Sequence, residues 1–255
     1  MSRKSHNDAG HASGSIQRRS VVRGIGSVLG AGVLATSGVP ASGVTNATGA
    51  RSDAAQTEAA NGIIQNDDCV TLPPVVGDVP VEEFYKYDEA NTRYSSAGPV
   101  TALQQDRASR LLVYRGPDDT RSLVVFHGKH RLEDAPEGGG SVSFTFEGLP
   151  SGGEWLVQDD NYDGPNLYDE WELGDDQATI HWTWQGGRTD GAVFAGLGDE
   201  YSITIEPAFN GDAKLYEEHY PGDVDAWEAV GGSQTDPKVV SLTMDQPVTI
   251  ESSSC

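Results

Sequence analysis

Positive charge is what this chain of 255 residues has least of. Its 17 lysines and arginines face 39 aspartates and glutamates, a formal net charge of -22. Such a field repels nucleic-acid phosphates and anionic lipid surfaces, which excludes both as partners, and it attracts cations. Apolar residues are also scarce, at 36% of the chain, below the usual share, so a core must be built from few side chains. There are two cysteines, Cys69 and Cys255, and no histidine lies near either in sequence, so neither reads as a nucleophile. The patterns H-E-x-x-H and G-x-S-x-G and the phosphate-binding glycine loop are absent, and no catalytic residue is assigned.

Self-repulsion at this charge is tolerable in molar salt, where the Debye length falls to ~3 Å. The composition therefore suits concentrated electrolyte. A disordered acidic chain would lack the alternating β-branched and aromatic runs that recur between residues 69 and 251.

Near the N-terminus, Gln17-Arg18-Arg19-Ser20-Val21-Val22-Arg23 precedes a mildly apolar, glycine-rich run from Gly24 to Val39. That run is too short and too broken by glycine to span ~30 Å of hydrocarbon. The arginine pair followed by a weakly hydrophobic stretch resembles a twin-arginine export signal, with Val21-Val22 in place of the more usual Phe-Leu. Val39-Pro40-Ala41 offers small residues for cleavage, placing the mature start at Ser42. Loss of residues 1–41 removes five basic side chains and one acidic one, leaving 12 against 38. Together the signal and the acidity resemble the secreted or surface proteins of halophilic archaea. That resemblance implies export in the folded state to the cell surface or beyond, without membrane insertion of the mature chain. No cysteine lies near the cleavage region, so a lipid anchor is not expected.

Residues 42–68 read as a flexible linker, and it carries the chain's Asn-x-Thr sequon at Asn46, a candidate glycosylation site. A single domain is expected over residues 69–255. In an extracytoplasmic setting Cys69 and Cys255 can pair. A free thiol at Cys255 and an intermolecular bridge are the alternatives.

Nine short runs carry strand character: 110–114, 122–127, 141–146, 154–158, 178–184, 191–197, 201–205, 239–242 and 248–250. Gly116-Pro117-Asp118-Asp119 joins the first two as a hairpin. Punctuated in this way, they predict an all-β fold, an antiparallel β-sandwich or jelly roll with one or two short helices. The helical candidates are Pro80–Tyr87 and Asp212–His219.

The stretch from Trp155 to Gly191 holds four of the five tryptophans and a dense set of carboxylates. Within it, residues 159–170 satisfy D-x-[DN]-x-[DN]-G-x5-E. Asp159, Asn161 and Asp163 would supply oxygens at alternate positions, Gly164 the sharp turn, Pro165 a carbonyl and Glu170 a bidentate carboxylate. The spacing resembles the loop of an EF-hand and implies calcium. It departs from that family in Asn166 at the aliphatic position and in strand-like rather than helical flanks.

Trp182 and Trp184 share a face with Ile180 and read as core. Trp155, Trp171 and Trp227 are less patterned, and an exposed pair could stack on a sugar ring. In Gly186-Gly187-Arg188-Thr189-Asp190-Gly191, expected to be a hairpin turn, Arg188 and Asp190 either bind a ligand or pair with each other. His127 and His130 lack a third zinc ligand. Glu154 with Glu170 could serve as a glycosidase pair, one among many acidic pairs on such a surface.

The function read from these residues is non-catalytic: a secreted, halophilic, calcium-stabilised β-sandwich with a structural or binding role. Its partners would be cations, a polysaccharide or another surface protein. The competing reading is a polysaccharide-acting hydrolase or carbohydrate-binding module.

Overall fold

Runs of alternating apolar residues become strands where a neighbour can complete their hydrogen bonds, and here most of them find one. The computed structural model describes residues 60–87, 95–131, 138–162, 164 and 168–255. The export signal, Ser42 and Asn46 lie outside the described residues.

The chain runs through β1 (Asn61–Gln65), β2 (Asp68–Leu72), β3 (Val75–Val76), helix α1 (Val81–Tyr85) and a 3₁₀ turn at Pro99–Leu103. It continues with β4 (Ala108–Arg115), β5 (Arg121–Gly128), β6 (Gly140–Glu147), β7 (Glu154–Gln158), β8 (Glu170–Leu173), β9 (Gln177–Trp184) and β10 (Thr189–Ala195). Then follow β11 (Ser202–Phe209), β12 (Ala226–Gly232), β13 (Pro237–Leu242) and β14 (Val248–Glu251). The first sheet has the order β2-β1-β14-β11-β6-β9-β8, and the second β13-β12-β4-β5-β10-β7, with β3 beside β4. Pairing is antiparallel except for β12 with β4 and β3 with β4.

Register explains the packing. Across β6 and β9, Val142 faces Trp182, Phe144 faces Ile180 and Phe146 faces Ala178. All six are buried, on the side of the first sheet that meets the second. Gly140 faces Trp184, and a Cβ there would lie 3.1 Å from the indole, so the small residue makes room for the large one. Leu111, Val113, Leu123, Val125, Ala192 and Phe194 answer from the second sheet.

The alternate residues of that second sheet, Leu112, Tyr114, Val124, Phe126 and Val193, are also buried. They lie beneath Val81, Phe84 and Tyr85 of α1 and Val100 and Leu103 of the 3₁₀ turn. The second sheet is therefore covered on both faces, which is why β4 and β5 read as continuous apolar runs. Arg110 on β4 pairs with Glu228 on β12 at 2.6 Å, both side chains nearly buried.

The all-β sandwich agrees with the sequence reading, as do the short helix after Pro80 and the hairpin between β4 and β5. Three expectations need correction. The linker does not run to residue 68, because Asn61–Gln65 enters the first sheet between β2 and β14. Asp212–His219 is not a helix: after a 3₁₀ turn at Asn210–Asp212 it forms successive i to i+3 turns, and Glu217 takes a φ of 58°. Eight residues are too few to repay helix nucleation without a long buried face. The turn before Thr189 does not close a hairpin, since β9 belongs to the first sheet and β10 to the second. Residues 185–188 are a corner between sheets.

Candidate functional site

That corner carries β10 away from β9, and with it Asp190. On β10 the residues alternate, and Asp190 shares its side with Ala192 and Phe194, which pack between the sheets. Asp190 is fully buried; its Oδ1 accepts the Gly191 N–H at 2.8 Å and its Oδ2 has no partner.

Asp169, the residue before β8, arrives from the first sheet. It is 6% exposed, and its Oδ1 accepts the Thr183 N–H at 3.0 Å, while Oδ2 has no protein donor. The Asp169 and Asp190 carboxyls stand within hydrogen-bonding reach of each other. No donor lies between two carboxylates unless one of them is protonated, so these two facts agree only if the pair holds a proton or a cation.

Asp159, directly after β7, completes the group. It is fully buried, accepts the Tyr85 hydroxyl at Oδ2 (2.6 Å) and leaves Oδ1 without a partner. Its backbone N–H donates to the Gly191 carbonyl at 3.3 Å. Gly191 has a φ of +151°, and a Cβ there would sit 2.2 Å from the Val125 carbonyl and 2.9 Å from the Tyr85 hydroxyl. A side chain would close the gap through which Tyr85 reaches Asp159. Asp160 accepts the Tyr87 hydroxyl at 2.8 Å.

Burial is the largest influence on all three carboxyls and pushes their pKa values well above the ordinary range, with the neighbouring aspartates adding to it. For Asp159 and Asp169 the next cause is the charge of Asp160; for Asp190 it is Asp169, then Asp159. Tyr85 is raised by burial and then by Asp159. Tyr220 is raised by burial and then by Tyr168, with Asp160 and Asp169 contributing and Arg188 opposing. Ionised carboxylates in such a place cost several kcal/mol each unless neutralised.

Of the residues expected to ligate calcium, the described ones, Asp159, Asn161 and Glu170, each have another protein partner. Asp159 faces Tyr85. Asn161 is exposed, and its amide donates to the Gln158 side chain. Asp163 and Pro165 lie outside the described residues. Glu170 is exposed and pairs with Lys214 at 2.6 Å. Among the described residues, no three His, Cys, Asp or Glu side chains are grouped so that they could hold a metal ion.

Other candidates are absorbed by packing. Trp182, Trp184 and Trp227 are core residues. Trp155 and the half-buried Trp171 meet edge to face, 6.0 Å apart at 80°, which is not a coplanar sugar platform. Arg188 is half-buried in the corner turn.

Ser109 and His127 stand 2.8 Å apart like a nucleophile and base, yet both are fully buried. His127 stacks on Trp184, and burial lowers its pKa to about 3. An imidazole held neutral inside the core is a packing element here. Asp169 carries no sequence signal that separates it from its acidic neighbours; its role comes from the fold. The chain matches no family model, and no curated protein or solved structure matches it.

Proposed function

We propose that the chain is an exported, salt-adapted β-sandwich with a non-catalytic structural or binding role at the cell surface or beyond. The observation that carries this reading is the bond between Cys69 and Cys255, with Cα atoms 5.8 Å apart. It fastens the edge strand β2 to the segment after β14, and such bonds persist in oxidising compartments outside the cytoplasm. The twin-arginine-like leader and the acidic composition support the same reading, and bound cations belong to it as counter-charge.

The second reading, a polysaccharide-binding module or hydrolase, draws support from one place. Tyr168 stacks on the exposed His219 at 3.8 Å, with Tyr220 edge-on beside it. Stacked aromatic rings next to carboxylates are a surface that a sugar can use.

Expression in a halophilic host, with fractionation and N-terminal sequencing, tests the export reading. The expected product lies outside the cytoplasm, begins at Ser42 and loses its fold as KCl is diluted from molar to about 0.1 M, where screening is weak. A product retained inside the cell with its leader uncut, or one equally stable in dilute buffer, overturns it. Binding to polysaccharide fragments in calorimetry, lost on Tyr168→Ala, would favour the second reading.

A further inference from the structure

We propose that β8 is a docking edge, and that it takes an extended peptide in which lysine or arginine alternates with apolar residues. The two sheets end in four strands, β2 and β8 in the first, β13 and β7 in the second. An end strand offers a row of unpaired N–H and C=O groups to any passing chain unless something blunts it. Three of these ends are blunted, each in its own way.

Cys255 is fastened to β2 through Cys69, and its backbone N–H donates to the Thr71 hydroxyl at 3.1 Å. β13 opens with Pro237 and Lys238, a residue without an N–H and a charge that resists burial. β7 carries a bulge: Val157 and Trp155 face the consecutive residues Val193 and Phe194, which leaves Leu156 unpaired between them. β8 has no proline, lysine or bulge, and among the described residues it pairs with β9 alone.

The side chains of β8 decide what can lie beside it. Opposite the buried Ile180 and Ala178, Trp171 is half-buried and Leu173 is 45% exposed, so the core runs out at this margin with apolar surface uncovered. On the other face Glu170 and Glu172 are exposed, followed by exposed Asp175 and Asp176 in the turn to β9. Glu170 holds Lys214, whereas Glu172 has no ion partner among the described residues. A second copy aligned antiparallel along β8 sets Glu170 against Glu172, and like charges directly opposite repel. A strand with cations on the face of Glu172 and apolar residues on the face of Leu173 meets both demands. This docking deepens the binding role proposed above and rests on that role, without needing export.

The test is titration of the full chain with a capped peptide of alternating valine and lysine, followed by calorimetry and by NMR shifts of the β8 amides. Saturable one-to-one binding is expected below about 1 mM peptide in about 1 M KCl, weakening as the salt rises to about 3 M. Glu172→Lys should lower the affinity by roughly 5- to 30-fold and should admit a peptide of alternating valine and glutamate that the wild type refuses. Leu173→Lys, which sets a guarding charge on the margin, should remove binding of the valine and lysine peptide.

No binding to the wild-type chain up to about 1 mM peptide overturns the proposal. So does an affinity unchanged in Glu172→Lys, or equal binding of the same peptide methylated on its backbone nitrogens, which leaves only attraction to an acidic surface. Sedimentation that shows the wild-type chain pairing with itself, and Leu173→Lys monomeric, gives the edge to a second copy and likewise overturns it. A chain retained inside the cell that still binds the peptide refutes export and leaves the docking edge standing; an exported chain that does not bind it does the reverse.

Discussion

At one edge of the first sheet, β2 carries Cys69, bonded to Cys255; at the other, β8 follows Asp169, whose carboxyl meets Asp190 of the second sheet. Both arrangements tie an exposed edge strand to the rest of the sandwich, and they do so by different physics. The sulfur bond acts mainly on the unfolded chain, shrinking its freedom across a separation of 186 residues, and it is indifferent to salt and to mild changes of pH. The carboxylates act on the folded state, and their contribution changes sign with what neutralises them. One edge is held the same way in every medium, and the other responds to protons.

Breaking the covalent edge should have the largest effect. Cys69→Ser with Cys255→Ser removes ~5 kcal/mol in the chain-entropy account, a fall in melting temperature of roughly 10 to 20 °C by calorimetry. A fall of only a few degrees would mean that the Gln65 side chain already secures this side through its bonds to the carbonyls of Thr243 and Gln246 (3.0 and 2.9 Å).

Acid comes next, and its sign separates the core from the responsive edge. Burial depresses the His127 pKa to about 3, against ~6.5 in the unfolded chain. Below 6.5 the unfolded chain takes up a proton that the folded chain refuses, so stability is lost as the pH falls toward 3, by up to about 4 to 5 kcal/mol.

The buried aspartates run the other way. With raised pKa values, the folded chain keeps protons that the unfolded chain has released above ~3.9, so their stabilisation is full below that pH and fades as the pH rises. Denaturant midpoints between pH 4 and 7 in EDTA should therefore show the acid-side loss reduced in His127→Gln, whereas Asp190→Asn should flatten the opposing fall. Identical slopes in all three proteins would refute both assignments.

The smallest effect belongs to Lys214→Ala. Its partner Glu170 is exposed and the pair is open to solvent, so the melting temperature should not move measurably in molar salt. A clear loss would return Glu170 to the centre of the β8 edge.

The sequence made the middle of each sheet legible and left the edges dark. Val142, Phe144 and Phe146 alternate because one side of β6 is core, and Gly116-Pro117 announces the turn that follows β4. β8, with Trp171 half-buried and Glu170, Glu172 and Leu173 exposed, lacks a buried face to signal it. β1 and β2 did leave a readable sign. Asn66 and Asp67 both adopt positive φ, 54° and 68°, as a two-residue hairpin turn requires, and Asn and Asp tolerate that conformation best.

The carboxylate group could not be read in advance, because spacing along the chain says nothing about a corner that sends β10 into the opposite sheet. Asp169 and Asp190 meet across that gap, while Glu170, one residue on from Asp169, turns to Lys214.

The position of β14 governs when this protein can acquire its shape. It lies between β1 and β11, so that Ile63 and Ile203 both find their partner in Ile250. A growing chain leaving the ribosome carries β1 with the place beside it empty until β14 follows. The first sheet can be completed only after Val248–Glu251 has emerged, and until then one side of the isoleucine-bearing strand β1 is left without its partner.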